Sequence, residues 1–178
     1  IAAISKQWGA SVPFFRSAET ANDFATTAAV LEEVLSTYQN NGREFMYGCC
    51  IYPTAPLMTA QRLQEAMDLL IAKSFDSVFP VLRFGYPIWR SLSIENGKAL
   101  MHWPEHKSSR SQDLPAAFHD AGQFYWFKTS AFLENGLLFT SNTGVVELDE
   151  LEVQDIDNIS DWKLAELKYQ VKKQLLNE

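Results

Sequence analysis

Two nearly continuous apolar runs, separated by one amphipathic helix, constrain the fold of this chain most strongly. Residues Phe45–Tyr52 read FMYGCCIY and residues Ser77–Leu82 read SVFPVL. Both suit strands that are buried on both faces, as in a parallel sheet. Between them the apolar positions predict a helix from about Thr59, a suitable N-cap, to Ala72. This β–α–β order predicts an α/β fold with a mostly parallel sheet.

The same alternation extends on both sides of this unit. A short apolar strand is predicted at Val12–Phe15, and the apolar positions of residues 26–38 predict a helix that ends at Asn40-Asn41-Gly42. Further short strands are predicted at Gly122–Phe127, Val145–Leu148 and Leu151–Ile156. A last helix is predicted from near Ser160, and its expected buried residues are Leu164, Leu167, Val171 and Leu175.

The middle of the chain departs from this rhythm. Residues Pro87–Met101 read as a strand, an Asn96-Gly97 turn and a second strand, which is a hairpin signal. A polar stretch, HWPEHKSSRSQDLP, follows. This excursion is typical of an insertion into an α/β sheet, and such insertions often serve as dimer arms.

Composition excludes several classes of function. The chain of 178 residues carries a net charge of −7 with no dense basic patch, which argues against binding of duplex nucleic acid. No long uncharged apolar stretch is present, so no membrane span is predicted. Cys49 and Cys50 are adjacent, which suits buried thiols in a reducing compartment rather than a disulfide. We therefore expect a cytoplasmic protein.

The start of the chain suggests a preceding segment. Ile1 is not a methionine, and IAAISKQWGA reads as the tail of a helix that closes at Gly9. We expect further chain before it in the natural protein.

Three segments carry side chains suited to chemistry. In the first, FRSAETANDFATT, Arg16 follows a predicted strand, where α/β proteins bind ligands, and Asp23 suits either a ligand or a helix cap. The second, IYPTAPL, is a rigid loop after a buried strand, or a plain turn. In the third, QDIDN, Asp155 and Asp157 would share one face of an extended segment and could hold Mg²⁺ against phosphate oxygens.

Other sites find little support. His102 and His106 have the spacing of a zinc pair on a helix, but Pro104 lies between them and would break that helix. The chain has no GxSxG, Walker A or GxGxxG sequence.

Taken together and in order, four segments resemble the acylneuraminate cytidylyltransferase family. They are VPFFR with a D-x-x-T helix start, YPTAPL, SRSQDLPAAFHDAGQFYWF, and the late DID. The resemblance runs from about Val12 to the C-terminus, and its second and third segments are most similar to family members that use pseudaminic acid. It implies one domain over residues 1–178, a three-layer, Rossmann-like nucleotidyltransferase with a mostly parallel sheet and a dimerisation insertion at about 84–118.

The resemblance also implies a reaction and roles for individual residues. The family couples CTP to a nine-carbon acidic sugar, giving CMP-sugar and pyrophosphate with Mg²⁺, in a homodimer. Arg16 and Thr27 match nucleotide-binding positions. Asp155 and Asp157 match the metal-binding aspartates, one of which also takes the proton from the sugar hydroxyl. Tyr125 matches a residue of the sugar site.

Three departures from the family pattern qualify this picture. Tyr52 and His119 stand where enzymes for N-acetylneuraminate have glutamine and arginine at the sugar, which implies a different sugar. The resemblance further implies that Arg110, His119 and Tyr125 act on the partner subunit's site. Nothing in the chain matches the glycine- and lysine-rich triphosphate loop with which the family opens.

The alternative functions are an enzyme for N-acetylneuraminate or legionaminate, and a catalytically silent dimeric binding module.

Overall fold

The computed structural model describes residues 1–175, which contain both helices and strands. The helices are α1 (Ala2–Gln7), α2 (Thr27–Asn40), α3 (Ala60–Ala72), α4 (Thr129–Asn135) and α5 (Ile159–Leu175). The strands are β1 (Tyr47–Ile51), β2 (Ser77–Arg83), β3 (Leu92–Glu95), β4 (Lys98–Met101), β5 (Phe118–Asp120), β6 (Phe124–Lys128) and β7 (Thr143–Leu148). Over the residues described, no helix is long and apolar enough to cross a membrane.

The main sheet is mixed rather than mostly parallel. Strand β6 lies between β1 and β2 and runs antiparallel to both, while β7 pairs in parallel with β2. Strand β5 pairs antiparallel with the C-terminal end of β2. The prediction of an α/β fold is confirmed, but β2 and β7 form the only parallel pair among the described strands. The reason is that β6, which follows the insertion, enters between the two strands that α3 connects.

Local sequence signals predict some of these elements correctly and others wrongly. Thr59 caps α3 as predicted, since its hydroxyl accepts a hydrogen bond from the Arg62 N–H at 3.3 Å. The hairpin is also confirmed as β3 and β4, with positive φ angles of 52° at Asn96 and 76° at Gly97. The predicted strands at 12–15 and 151–156 are wrong, because both segments are irregular or turn-like.

The core lies on both faces of the main sheet. On one face, Leu70 of α3 packs against Val78 and Phe124, all three fully buried. On the opposite face, Phe79 and Val81 pack with Tyr125, a smaller cluster that Tyr52 borders. Neighbouring strand residues thus point to opposite faces, as the pleat requires.

The predicted burial of the last helix is wrong. Within α5 only Ala165 is buried, whereas the four expected core residues are between 41% and 59% exposed: Leu164, Leu167, Val171 and Leu175. The main neighbour of α5 in the described chain is the short turn at Glu150–Glu152 rather than the sheet. The sequence shows that α5 has an apolar stripe, but it does not show which part of the protein, if any, packs against that stripe.

An ion-pair network fastens this turn to α3. The Arg62 guanidinium donates to both oxygens of Glu152, at 2.7 and 3.3 Å, and to Glu65 at 2.7 Å. Lys172 of α5 lies 3.3 Å from the same Glu152 carboxylate, whose side chain is only 15% exposed. The Arg62 hydrogen bonds hold the pKa of Glu152 below its ordinary value. Glu152 therefore joins α3, the turn and α5.

We expect Glu152→Gln to lower the free energy of unfolding by about 2 kcal/mol at pH 7, because Arg62 and Lys172 lose their shared anion. A depressed folded-state pKa stabilises the protein above the unfolded-state pKa, near 4.5, and this contribution disappears as pH falls through the folded value. Urea unfolding of both proteins at pH 7 and pH 3 measures the difference. An equally large difference at pH 3 would contradict the assignment.

Candidate functional site

Two tyrosines meet where β1 and β6 run side by side. Tyr52 follows β1, and its backbone N–H donates to the Gln123 carbonyl at 2.8 Å. Its ring centroid lies 5.3 Å from that of Tyr125 on β6. The Tyr52 hydroxyl lies 2.8 Å from the Thr27 hydroxyl at the start of α2. Three residues far apart in sequence are thereby brought together.

Tyr125 lies in the wall of a cavity of about 470 Å³, here called the tyrosine cavity. Its other walls include Phe79, Phe118, His119 and Asp120. The Tyr125 hydroxyl donates to Asp120 Oδ2 at 2.7 Å. Burial, and then the Asp120 carboxylate, raise the pKa of Tyr125 far above its ordinary value, so the phenol keeps its proton. The cavity is lined mainly by aromatic and aliphatic side chains, with His119 and Asp120 as its polar members besides the Tyr125 hydroxyl.

A second cavity of about 320 Å³, the carboxylate cavity, shares His119 and Asp120 with the first. Asp155, Gly122 and Lys168 also line it. Gly122 has a φ of +62°, which suits glycine, and a Cβ placed there would lie 3.4 Å from Asp155 Oδ2, so this turn and Asp155 are in close proximity. His119 and Asp120 therefore form a common wall between an aromatic site and an acidic one.

The aspartate pair lies in irregular chain just before α5, not in the extended segment that the sequence predicted. Both residues are exposed, and within residues 1–175 neither carboxylate has a hydrogen-bond or ion-pair partner. The Asp157 N–H donates to Asp161 Oδ2 at 3.0 Å, which shapes the loop. The two carboxylates are thus available to an external ligand.

The two exposed carboxylates do not form a closed protein cage for a metal ion, but they could take part in an open divalent-cation site. In the part of the chain that is described, no group of three or more His, Cys, Asp or Glu side chains could hold a metal ion. Mg²⁺ is usually bound by one or two carboxylates, with water and substrate phosphate filling the remaining positions. Two unpartnered carboxylates fit that pattern.

Comparison with known proteins identifies the relatives of this chain. No family model matches it. It is 34% identical over 169 residues to a pseudaminic acid cytidylyltransferase of Campylobacter jejuni, covering 94% of this chain and 73% of the relative. The chain belongs to the family of acylneuraminate and pseudaminic acid cytidylyltransferases.

More distant members of the cytidylyltransferase family agree with this placement. A Helicobacter pylori protein, named for pseudaminic acid cytidylyltransferase and a UDP-sugar hydrolase, is 33% identical over 94% of this chain and 32% of its own length. N-acylneuraminate cytidylyltransferase A of Danio rerio is 29% identical over 93% of this chain and 38% of its own length.

Both arginines expected at the site, Arg16 and Arg110, lie apart from the two cavities. Arg16 is exposed and borders neither cavity. Arg110 forms an ion pair with Asp113 at 2.7 Å, in which both side chains are largely exposed. Their nucleotide- and substrate-binding roles stay predictions.

Sequence reasoning missed two charged residues of this candidate site. Asp120 joins the two cavities, and Lys168 of α5 lines the carboxylate cavity while its Nζ donates to the Val153 carbonyl at 2.7 Å. Burial lowers the pKa of Lys168. Asp120 could have been found from its place inside the FHDAGQFYW segment, whereas Lys168 occupies an unremarkable helix position.

Proposed function

We propose that this protein is a cytoplasmic, Mg²⁺-dependent cytidylyltransferase that couples CTP to pseudaminic acid, releasing pyrophosphate. The observation that carries the proposal is the aromatic cavity around Tyr125, which shares a wall with the cavity lined by Asp155. An aromatic site beside the free carboxylate of Asp155 suits a sugar held next to a metal-bound nucleotide. The relatives named for pseudaminic acid are 33–34% identical over 94% of the chain.

Tyr52, Tyr125 and His119 are the proposed sugar-binding residues. The faces of the two tyrosine rings offer apolar surface to methyl and acetyl groups, and the polar end of the tyrosine cavity offers hydrogen bonds. Arg110 is proposed to bind the acidic group of the sugar in the partner subunit's site. Its exposed pair with Asp113 is of a kind worth little, so the guanidinium can exchange one carboxylate for another.

Arg16 and Thr27 are the proposed nucleotide-binding residues. The 2.8 Å contact between the Thr27 and Tyr52 hydroxyls supports the placement of a nucleotide next to the sugar. Arg16 would reach a base carbonyl or a phosphate through its fork of donors.

Asp155 and Asp157 are the proposed metal ligands and supply the general base. When bound, Mg²⁺ offers positive charge to the phosphate oxygens. One carboxylate of the pair accepts the proton of the sugar's anomeric hydroxyl while the oxygen of that hydroxyl forms a bond to the α-phosphorus of CTP. The bond from that phosphorus to the β-phosphate breaks, and pyrophosphate leaves.

We expect the full-length protein to prefer pseudaminic acid over N-acetylneuraminic acid by at least about tenfold in kcat/KM. A site built for one polar arrangement leaves buried groups unpaired with another, at about 1–3 kcal/mol each. CTP is offered with both sugars in competition, and the products are separated by mass. Equal use of both sugars, or a preference for N-acetylneuraminic acid, would overturn the choice of sugar, and no product from either would overturn the activity.

Matched variants at the two positions that depart from the family sharpen this assay. Tyr52→Gln combined with His119→Arg is expected to reduce the preference for pseudaminic acid. Tyr52→Phe removes the bond to Thr27 but keeps the ring, and so serves as the control for packing.

We also propose that the segment of about 84–118 forms a homodimer interface. Its hairpin lies outside the main sheet, and its exposed apolar side chains include Tyr86 and Ile94, at 89% and 79% exposure. Trp89 and Trp103 of the same segment are only partly exposed, and their ring centroids lie 5.5 Å apart, so they pack on each other within the segment.

Light scattering of the full-length protein at micromolar concentration should give twice the monomer mass. Ile94→Asp should weaken the dimer, because it buries a charge in an apolar interface. Leu137→Asp, at an exposed apolar residue outside the segment, is the control and should leave the dimer intact. A monomeric wild-type protein would count against the interface.

A further inference from the structure

The side chain of Asp120 is placed between the two cavities and uses both of its oxygens on fixed partners. Oδ2 accepts the Tyr125 hydroxyl proton at 2.7 Å, and Oδ1 accepts the Gly122 N–H at 2.8 Å. The Gly122 bond fixes the orientation of the carboxylate through a backbone group that cannot rotate away. Asp120 therefore holds the phenol of Tyr125 in one direction.

This arrangement determines the polarity that Tyr125 shows to a ligand. A phenol has one proton to donate, and an ionised carboxylate can only accept. Because the proton of Tyr125 goes to Asp120, the hydroxyl offers the tyrosine cavity a lone pair and no donor. The Tyr52 hydroxyl contacts that of Thr27 at 2.8 Å and also interacts with the Tyr125 hydroxyl. The remaining lone pair of Tyr125 thus suits a ligand group that donates.

We propose that Asp120 is a positioning residue that sets Tyr125 as a hydrogen-bond acceptor for an N–H or O–H donor of the sugar, such as an acetamido N–H. This inference rests on the proposed function and deepens it, since it names the kind of sugar group that the cavity selects. Asp120 acts through Tyr125 and does not touch the reacting atoms.

Replacing Asp120 by asparagine reverses the direction of the hydrogen bond to Tyr125 while the side chain keeps nearly the same shape. In Asp120→Asn the amide oxygen can still accept the Gly122 N–H, while the NH₂ group faces Tyr125 and donates to it. The tyrosine proton then points into the cavity and meets the donor of the sugar. We expect KM for the sugar to rise about 30-fold and KM for CTP to change less than about twofold, because one hydrogen bond to the sugar is lost and two donors are left facing each other.

The decisive comparison adds Tyr125→Phe. Alone, Tyr125→Phe should raise KM for the sugar about tenfold, because it removes the acceptor without adding an opposing donor. In the double variant the same substitution removes the inverted hydroxyl, so KM should return from the Asp120→Asn level to the Tyr125→Phe level. A merely structural role for Asp120 would give additive losses instead. Asp68→Asn, on the exposed face of α3, is the control and should match wild type.

Calorimetric titration of pseudaminic acid into full-length wild type, Asp120→Asn, Tyr125→Phe and the double variant separates this inference from the proposed function. If the wild type is active but Asp120→Asn leaves KM for the sugar unchanged, the inference alone is overturned. Additive losses in the double variant would also overturn the inference alone. Sugar binding that follows the expected pattern without formation of CMP-sugar would overturn the proposed activity alone. Absence of any sugar binding would overturn both.

Discussion

Replacing Asp157 by asparagine is expected to lower kcat of the full-length enzyme by at least about 100-fold while the fold survives. Asparagine keeps the shape of the side chain but removes the charge that a hard cation requires. A loss of several kcal/mol of transition-state stabilisation corresponds to two or more powers of ten in rate. Asp157 is exposed and its carboxylate has no partner within residues 1–175, so the free energy of unfolding should change by less than about 0.5 kcal/mol.

Pyrophosphate release is the measurement, made over a range of Mg²⁺ concentrations and after chelation with re-addition of Mg²⁺. Asp155→Asn should act in the same direction, because Asp155 supplies the second carboxylate. Glu134→Gln also removes one exposed negative charge, but on α4, and should match wild type. Near-normal turnover by both aspartate variants at limiting Mg²⁺ would refute the metal assignment.

The proposed metal site illustrates what sequence could and could not provide. The residue types of QDIDN and their place in the order of segments predicted free carboxylates, and the structure has Asp155 and Asp157 exposed and unpartnered in the described chain. The supposed reason, alternation along a strand, was wrong, because the segment is irregular. What makes Asp155 part of a cavity is its approach to Gly122, more than thirty positions earlier. Contacts between residues so far apart in the sequence produce no periodic pattern from which they could be predicted.

The fold shows the same division between local and long-range information. The bounds and cap of α3 could be predicted because helix periodicity and capping depend on neighbouring residues. The place of β6 between β1 and β2 could not, because strand order is decided by tertiary packing. From the sequence alone, Glu152 is most simply interpreted as part of a solvated face. Its partner Arg62 lies ninety positions away, and the pairing is visible only in the folded chain.

The residues of the candidate site that the family resemblance supplied could be predicted from the sequence. The residues that only the three-dimensional arrangement brings to the site could not. Tyr52, Tyr125 and Thr27 were named from sequence, and the structure brings them together. Asp120 was not named, although it lies in the same segment as Tyr125, since an aspartate in a turn is also an ordinary turn residue. Its two hydrogen bonds are what distinguish it.

Substituting Gly48 with alanine is expected to destabilise the protein by about 3 kcal/mol, which corresponds to a fall in Tm of about 6–12 °C. Gly48 lies in β1 opposite Phe127 of β6, and a Cβ at this position would overlap the Phe127 ring. That ring is only 2% exposed and packs on Phe132 at 5.3 Å between centroids, so it has no free space into which to move. The sheet must therefore separate locally or the ring must leave its rotamer, and each carries a cost of this order.

Gly85→Ala provides the matched control, because it makes the same chemical change where a Cβ would meet nothing within 4 Å and where φ is not positive. Removing a glycine there should leave stability unchanged or raise it by up to about 1 kcal/mol through the unfolded state. Thermal and urea unfolding of the three proteins measure the contrast. If Gly48→Ala unfolds with the midpoint of wild type, the β1–β6 register that sets Gly48 against Phe127 is wrong. The aromatic cavity depends on the same register, since it pairs Cys50 with Tyr125 and so puts the neighbouring Tyr52 beside that ring.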